Sequence, residues 1–283
     1  MTAPLRQLPL EVAPDTYLVR ATQLSLGGSV STSMNALVIR AAEPVIVDTG
    51  MVTDRAIFFE DVFSLEPDDV RWIYLTHDDD DHSGNLMEAL DRCPNAAVVM
   101  SWGARGRTCA AFGIPHRRVR TVDHGEALDV GDRSLQAVRP PVFDNAYTRG
   151  VFDPTTQVYF AADAFCAPMP AEPVDLAEDM PEQMYAEGFA FFHHNSLCPW
   201  ITMVDPTKYE AEVANLASMG AEVITSAHGP TITPTSMDRA FELLTALPTA
   251  LTQPLSNAGG EVVARHTASG PEASGSEGPR GSS

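Results

Sequence analysis

The sequence predicts an α/β protein: one αββα sandwich domain over residues 1–250, followed by a tail over 251–283. Three observations predict it. Short apolar runs bounded by turn residues alternate with helical patterns in the first part of the chain. A hairpin-rich stretch follows and then gives way to helices again, so two β-rich halves are each flanked by helices. The 283 residues, 44% of them hydrophobic, suffice for one large core.

Taken in order, residues 16–47 are strand-like. Tyr17-Leu18-Val19 precedes a Gly27-Gly28 break, and Asn35–Ile39 and Pro44–Val47 are apolar runs that end at Asp48-Thr49-Gly50. Residues 53–65 predict a helix with Ile57, Phe58, Val62 and Phe63 on one side. A strand over 70–75 runs directly into Thr76–Gly84, and a helix begins near Ser83. Residues 96–100 predict another strand. Residues 126–132 and 134–138 predict a hairpin across Gly131-Asp132. A strand over 157–161 leads to Asp163, and 174–192 predicts a partly inserted helical segment. A helix over 209–219 ends at Gly220, a strand over 222–225 leads towards His228, and 236–247 is the last helix. Beyond residue 250 the composition turns to Gly, Ser, Glu, Ala and Pro, which predicts a disordered tail.

Bulk composition excludes several classes. Lys and Arg total 18 against 38 Asp and Glu, a formal charge of −20. Such a surface repels phosphate backbones and anionic headgroups, which argues against nucleic acid and membrane partners. No apolar stretch reaches the ~20 residues of a membrane span, and the N-terminus lacks a secretory pattern, so a cytoplasmic location is expected. Cys93, Cys109, Cys166 and Cys198 form no C-x-x-C pair, so reduced thiols are expected rather than a thiolate metal site. No glycine-rich phosphate loop is present.

Chemistry concentrates in His77-Asp78-Asp79-Asp80-Asp81-His82. A run of like charges is ordinarily a solvated face. Here an apolar strand delivers the run abruptly, Ser83-Gly84 and a helix follow at once, and imidazoles stand at both ends. Packed carboxylates repel one another, and a bound cation reverses that repulsion. A calcium loop starting at Asp79 would need a bidentate Glu where Leu90 stands. Alternation along an extended loop lets His77, Asp79 and Asp81 converge, with His82 turning in as the helix begins. Mixed imidazole and carboxylate donors suit iron, zinc or manganese better than calcium.

The segment resembles the metallo-β-lactamase superfamily, whose usual H-x-H-x-D-H motif is here H-x-D-x-D-H. A carboxylate at the second position resembles the flavodiiron branch and its oxygen-binding diiron relatives. The similarity extends to Ser31–Ile39, Ile46–Gly50, His82–Leu86, Pro94–Val99, Val158–Phe165 and Ser226–Pro230, roughly residues 10–245. The resemblance implies one metal on His77 and Asp79, a second on Asp81, His82 and His228, and Asp163 bridging them. The branch places a further histidine in the stretch matching Ala137–Asn145, where none occurs. Arg139 falls closest to its place; it is not a ligand, but it could supply positive charge there. His194, or its neighbour His193, is expected near the pocket, whereas His124, His116 and His266 are expected on the surface. The implied function is a nonheme iron protein, with one or two ions, that binds or reduces dioxygen or nitric oxide, with Asp81, Arg139 and His194 as catalytic candidates. No flavin would be bound by this chain, so a separate flavoprotein would donate electrons. A homodimer is also implied. The alternative is a zinc or manganese hydrolase acting on a small ester or thioester through a metal-bound water oriented by Asp81.

Overall fold

The computed structural model describes residues 4–67 and 69–250; the tail predicted over 251–283 lies outside the described residues. The strands are β1 (Leu5–Ala13), β2 (Thr16–Ser25), β3 (Val30–Ile39), β4 (Val45–Val47), β5 (Trp72–Tyr74), β6 (Ala97–Met100), β7 (Val119–Thr121), β8 (Ala127–Asp129), β9 (Ser134–Val138), β10 (Gly150–Asp153), β11 (Val158–Phe160), β12 (Met169–Pro170) and β13 (Val223–Thr225). The helices are α1 (Arg55–Ser64), α2 (Asp80–Ser83), α3 (Leu86–Arg92), α4 (Trp102–Phe112), α5 (Glu182–Phe192), α6 (Pro206–Ala217) and α7 (Met237–Ala246). One sheet runs in the order β1 to β7, with β12 added beside β3; the other runs β13-β11-β10-β9-β8.

Strand periodicity explains the layering. Side chains alternate across a strand, and each strand here serves two cores. Leu37, Ile39, Val45, Val47, Tyr74 and Val99 face the space between the sheets, where Leu135, Val151 and Phe160 meet them. Their neighbours Val38, Ile46, Ile73 and Val98 face the other way, onto Phe58, Val62, Leu86 and Leu90 of α1 and α3. On the second sheet Phe152, Tyr159 and Ile224 pack against Phe189, Val213 and Leu244 of α5, α6 and α7. Four layers result, αββα, as the alternation predicts. The near-continuous apolar runs of β4 to β6 fit strands that are parallel and covered on both faces.

Several elements depart from the sequence reading. The first strand, β1, contains Pro9 and has no fully buried residue, so it carries neither alternation nor an apolar run; it survives as an edge strand, where proline is tolerated. Helix α4 contains Gly103 and Gly106, which weaken the helical signal. The segment expected to be helical from residue 174 begins its helix only at Glu182, after Pro181. Cys93, Cys109, Cys166 and Cys198 are all buried and unpaired.

The topology gathers strand ends. β4 and β5 are parallel, with Val47 beside Tyr74, so Asp48 and Thr76 emerge together. β11 and β13 are parallel, with Phe160 beside Thr225, so Asp163 and His228 follow from adjacent ends. Ligand sites of layered α/β folds lie beyond such carboxyl ends.

Candidate metal centre

Asp163 is the hub. His77 Nε2 lies 3.3 Å from its Oδ2, and His82 Nε2 and His228 Nε2 lie 3.1 and 3.3 Å from its Oδ1. Asp81 Oδ2 is 3.0 Å from His228 Nε2 and 3.5 Å from His82 Nε2. Asp79 Oδ2 is 3.7 Å from His77 Nε2. All six residues proposed from the motif and its resemblance therefore meet in one place. Asp144 joins them, its Oδ1 3.9 Å from His77 Nε2.

The backbone reaches this geometry by two routes. His77 and Asp79 project from extended chain, as alternation predicts. Asp81 does not: α2 begins at Asp80, so Asp81 and His82 are aimed by a helical turn. Asp78 turns away to Arg107 and to Thr108 Oγ1, 2.9 Å distant, and Asp80 stays exposed. Left-handed backbone brackets the hub at Ala162 (φ 53°) and Phe165 (φ 67°), and recurs at Asp48 (φ 59°). For residues other than glycine this conformation costs roughly 1–2 kcal/mol each, and such strain gathers at functional sites.

The imidazoles are held from behind. His82 Nδ1 donates to Asp48 Oδ2 at 2.8 Å, and Asp48 in turn accepts from Thr76 N and Thr76 Oγ1, both at 2.8 Å. His228 Nδ1 donates to the Ser33 carbonyl at 2.8 Å. His77 Nδ1 lies 3.1 Å from Thr76 Oγ1. With each Nδ1 so engaged, every Nε2 is left to point at the hub, the arrangement seen behind metal-bound histidines. Asn35 fastens the last loop to β3 by donating to the carbonyls of Ser226 (2.8 Å) and Gly229 (3.1 Å). Asp48 is fully buried and is a positioning residue. Asp48→Asn is expected to weaken metal binding by roughly 10–100-fold, the range for such supporting groups. Competition against a chelator checks this; unchanged affinity would contradict the role.

The donor set fits a metal. His77 Nε2, His82 Nε2 and both Asp163 oxygens are buried and make no hydrogen bond, a costly state for polar atoms unless something else satisfies them. An ion with ligand bonds of roughly 2.1 Å spaces neighbouring donors by roughly 3.0–3.4 Å, close to the 3.0–3.5 Å separations around Asp163 and Asp81. The titration behaviour agrees. Burial works against charge on Asp163, yet His82 and His77 hold it well below the usual carboxylate range. Burial lowers His228 as well, but Asp163 and Asp81 push it up to about 10; His82 is likewise raised by Asp163 and Asp48. Asp144 is raised by burial and by the neighbouring Asp163 and Asp79. The pocket thus demands positive charge, from protons or from a cation.

Residues 32–229 match the family described as ODP family beta lactamase. The chain belongs to this family. The fold is that of rubredoxin oxygen:oxidoreductase from Desulfovibrio gigas, with a TM-score of 0.70 at 16% identity, over 84% of this chain and 60% of that one. Among curated relatives, the type A flavoprotein fprA of Rhodobacter capsulatus is 28% identical over 170 residues, 56% of this chain and 39% of the relative. The anaerobic nitric oxide reductase flavorubredoxin of Vibrio vulnificus is 22% identical over 200 residues, 70% of this chain and 40% of the relative. The chain therefore spans less than half the length of these two relatives.

Two residues expected at the site do not join the cluster. Arg139 is exposed and lines a surface groove with His124, Gln136 and Glu212; its backbone N–H donates to His124 Nδ1 at 3.0 Å. It follows the last residue of β9, whose side chain packs inward, so alternation turns Arg139 out. His194 is tied to the Leu247 carbonyl at 2.9 Å. Its neighbour His193 is the buried one, stacked on Phe189 at 4.2 Å with Nε2 unpartnered, and burial brings it down to about 4, so it stays neutral. Asp144 carries no local signal of its own: it is a lone acid just beyond Pro140-Pro141, and only the fold returns that stretch to the site.

Proposed function

We propose that this ODP-family chain is a nonheme iron protein, with one or two ions, that binds and reduces dioxygen or nitric oxide. A flavoprotein is its electron donor. The observation that carries the reading is the convergence of three imidazole nitrogens, those of His77, His82 and His228, and of Asp81 on one buried carboxylate, Asp163. Under this reading His77 and Asp79 serve one ion, Asp81, His82 and His228 the other, and Asp163 both. The names of two relatives, a nitric oxide reductase and an oxygen oxidoreductase, support the choice of gases. Iron bound here would supply reducing electrons and open coordination for a small diatomic.

The chain's own residues prepare that chemistry. The two imidazoles and one carboxylate of His82, His228 and Asp81 are donor types that suit nonheme iron. Phe192 lies 5.7 Å from the His228 ring, an apolar surface beside the centre that suits a small uncharged gas. Among the described residues no helix is long and apolar enough to cross a membrane.

The test is metal analysis of anaerobically purified protein, with optical spectra before and after exposure to air, and gas consumption with a flavoprotein reductase and NADH. Iron near one to about two ions per chain, with oxygen-dependent bands and gas uptake, is expected. Zinc without redox change would replace this reading with hydrolysis by a metal-bound water.

A further inference from the structure

We infer that the two metal positions are chemically unequal, and that the outer one, formed by His77, Asp79 and Asp144 around Asp163, is an oxygen-dominated site that takes manganese(II) more readily than the inner one. The inference rests on the metal centre proposed above and goes beyond it, because it assigns Asp144 as a ligand and gives each position its own ion preference.

The donors differ in kind. Apart from the shared Asp163, the inner position has two imidazoles, His82 and His228, and one carboxylate, Asp81. The outer has one imidazole and two carboxylates, one more negative charge and one less nitrogen. Carboxylate and water suit manganese, whereas imidazole suits zinc and iron. The spacing differs too. Asp79 and Asp144 stand 3.7 and 3.9 Å from His77 Nε2, against 3.0 and 3.5 Å from Asp81 to the inner imidazoles. Wider spacing fits a larger ion with longer bonds. The outer position is also more open: the Asp79 and Asp144 side chains are 47% and 34% exposed, so water can complete the coordination.

These are more than two acidic groups near one another. His77 Nε2 is buried, without a hydrogen bond, and lies beside both. Asn145 also pins the Asp144 loop in place: its Nδ2 donates to Asp78 Oδ1 at 3.2 Å and to Asp79 Oδ1 at 3.4 Å, and its Oδ1 accepts from Tyr147 N at 3.0 Å.

The experiment uses the full chain, stripped of metal and given one equivalent of zinc(II) to fill the inner position. Manganese(II) is then titrated in, and free ion is followed by its paramagnetic resonance. The wild type is expected to bind one further manganese per chain. Asp144→Asn should weaken that binding at least roughly tenfold and leave the first zinc in place. Asp144→His should weaken manganese and tighten the second zinc, also by roughly tenfold. A wild type that takes a second zinc but no manganese, or unchanged manganese affinity in Asp144→Asn, would overturn the inference. Asp163→Asn separates the levels. If it too retains full metal, the centre itself is wrong; if it loses metal while Asp144→Asn does not, only this inference fails.

Discussion

Asp163→Asn is expected to reduce bound metal from the wild-type level to well under one ion per chain. The substitution is nearly isosteric, but it removes the negative charge that His77, His82 and His228 all face within 3.1–3.3 Å. It also replaces one of two equivalent oxygens with an amide nitrogen that has no lone pair to offer a cation. A carboxylate that serves both positions cannot be lost by one alone. If each ion loses even the roughly 10–100-fold that attends loss of a mere supporting group, both positions are weakened together. The measurement is metal per chain after desalting, with circular dichroism to verify the fold. A folded variant carrying wild-type metal would remove Asp163 from the centre.

Gly84→Ala is expected to be the more disruptive change to the fold. A Cβ at Gly84 would lie 2.6 Å from the Asp80 carbonyl oxygen, 2.8 Å from that of Gly50 and 2.8 Å from Val52 N. All three are backbone atoms, so no side chain can swing aside. Relief requires the turn after β4 to part from α2, and that contact carries the hydrogen bonds from Thr49 N and Thr49 Oγ1 to the His82 carbonyl, at 2.7 and 3.0 Å. Overpacking of this kind costs roughly 1–3 kcal/mol, and the upper end is expected here, together with weaker metal binding through displaced His82. Gly106→Ala is the internal contrast. It lies within α4, and an added Cβ meets nothing within 4 Å, so a gain of about 0.5–1 kcal/mol is expected from helix propensity. Urea denaturation of both variants decides. Equal, small effects at the two glycines would contradict the close approach at Gly84.

Legibility followed periodicity. β3, β4, β5 and β6 were readable because their apolar runs are continuous, and they are continuous because both faces are buried. β1 was not, since an exposed edge strand imposes no pattern, and α4 was hidden by Gly103 and Gly106. At the site, His77, Asp79, Asp81 and His82 were nameable because they are packed into six positions, and Asp163 and His228 only through the resemblance of Val158–Phe165 and Ser226–Pro230 to the superfamily. Asp144 was not, because nothing local distinguishes it from Asp78 or Asp80: one carboxylate reaches the pocket, one is diverted to Arg107, and one meets water. Asp48 illustrates the same blindness. Its turn was legible, but its hydrogen bond to His82 joins residues 34 positions apart.

By itself the sequence determined the layers, the alternation of core faces and a run of acids and imidazoles with the chemistry of a cation site. Only the tertiary structure decided which carboxylates share that site, that Arg139 and His194 stand outside it, and that Asp144 enters it. Periodicity is written in neighbours along the chain, whereas convergence depends on which strand ends two packed sheets bring together.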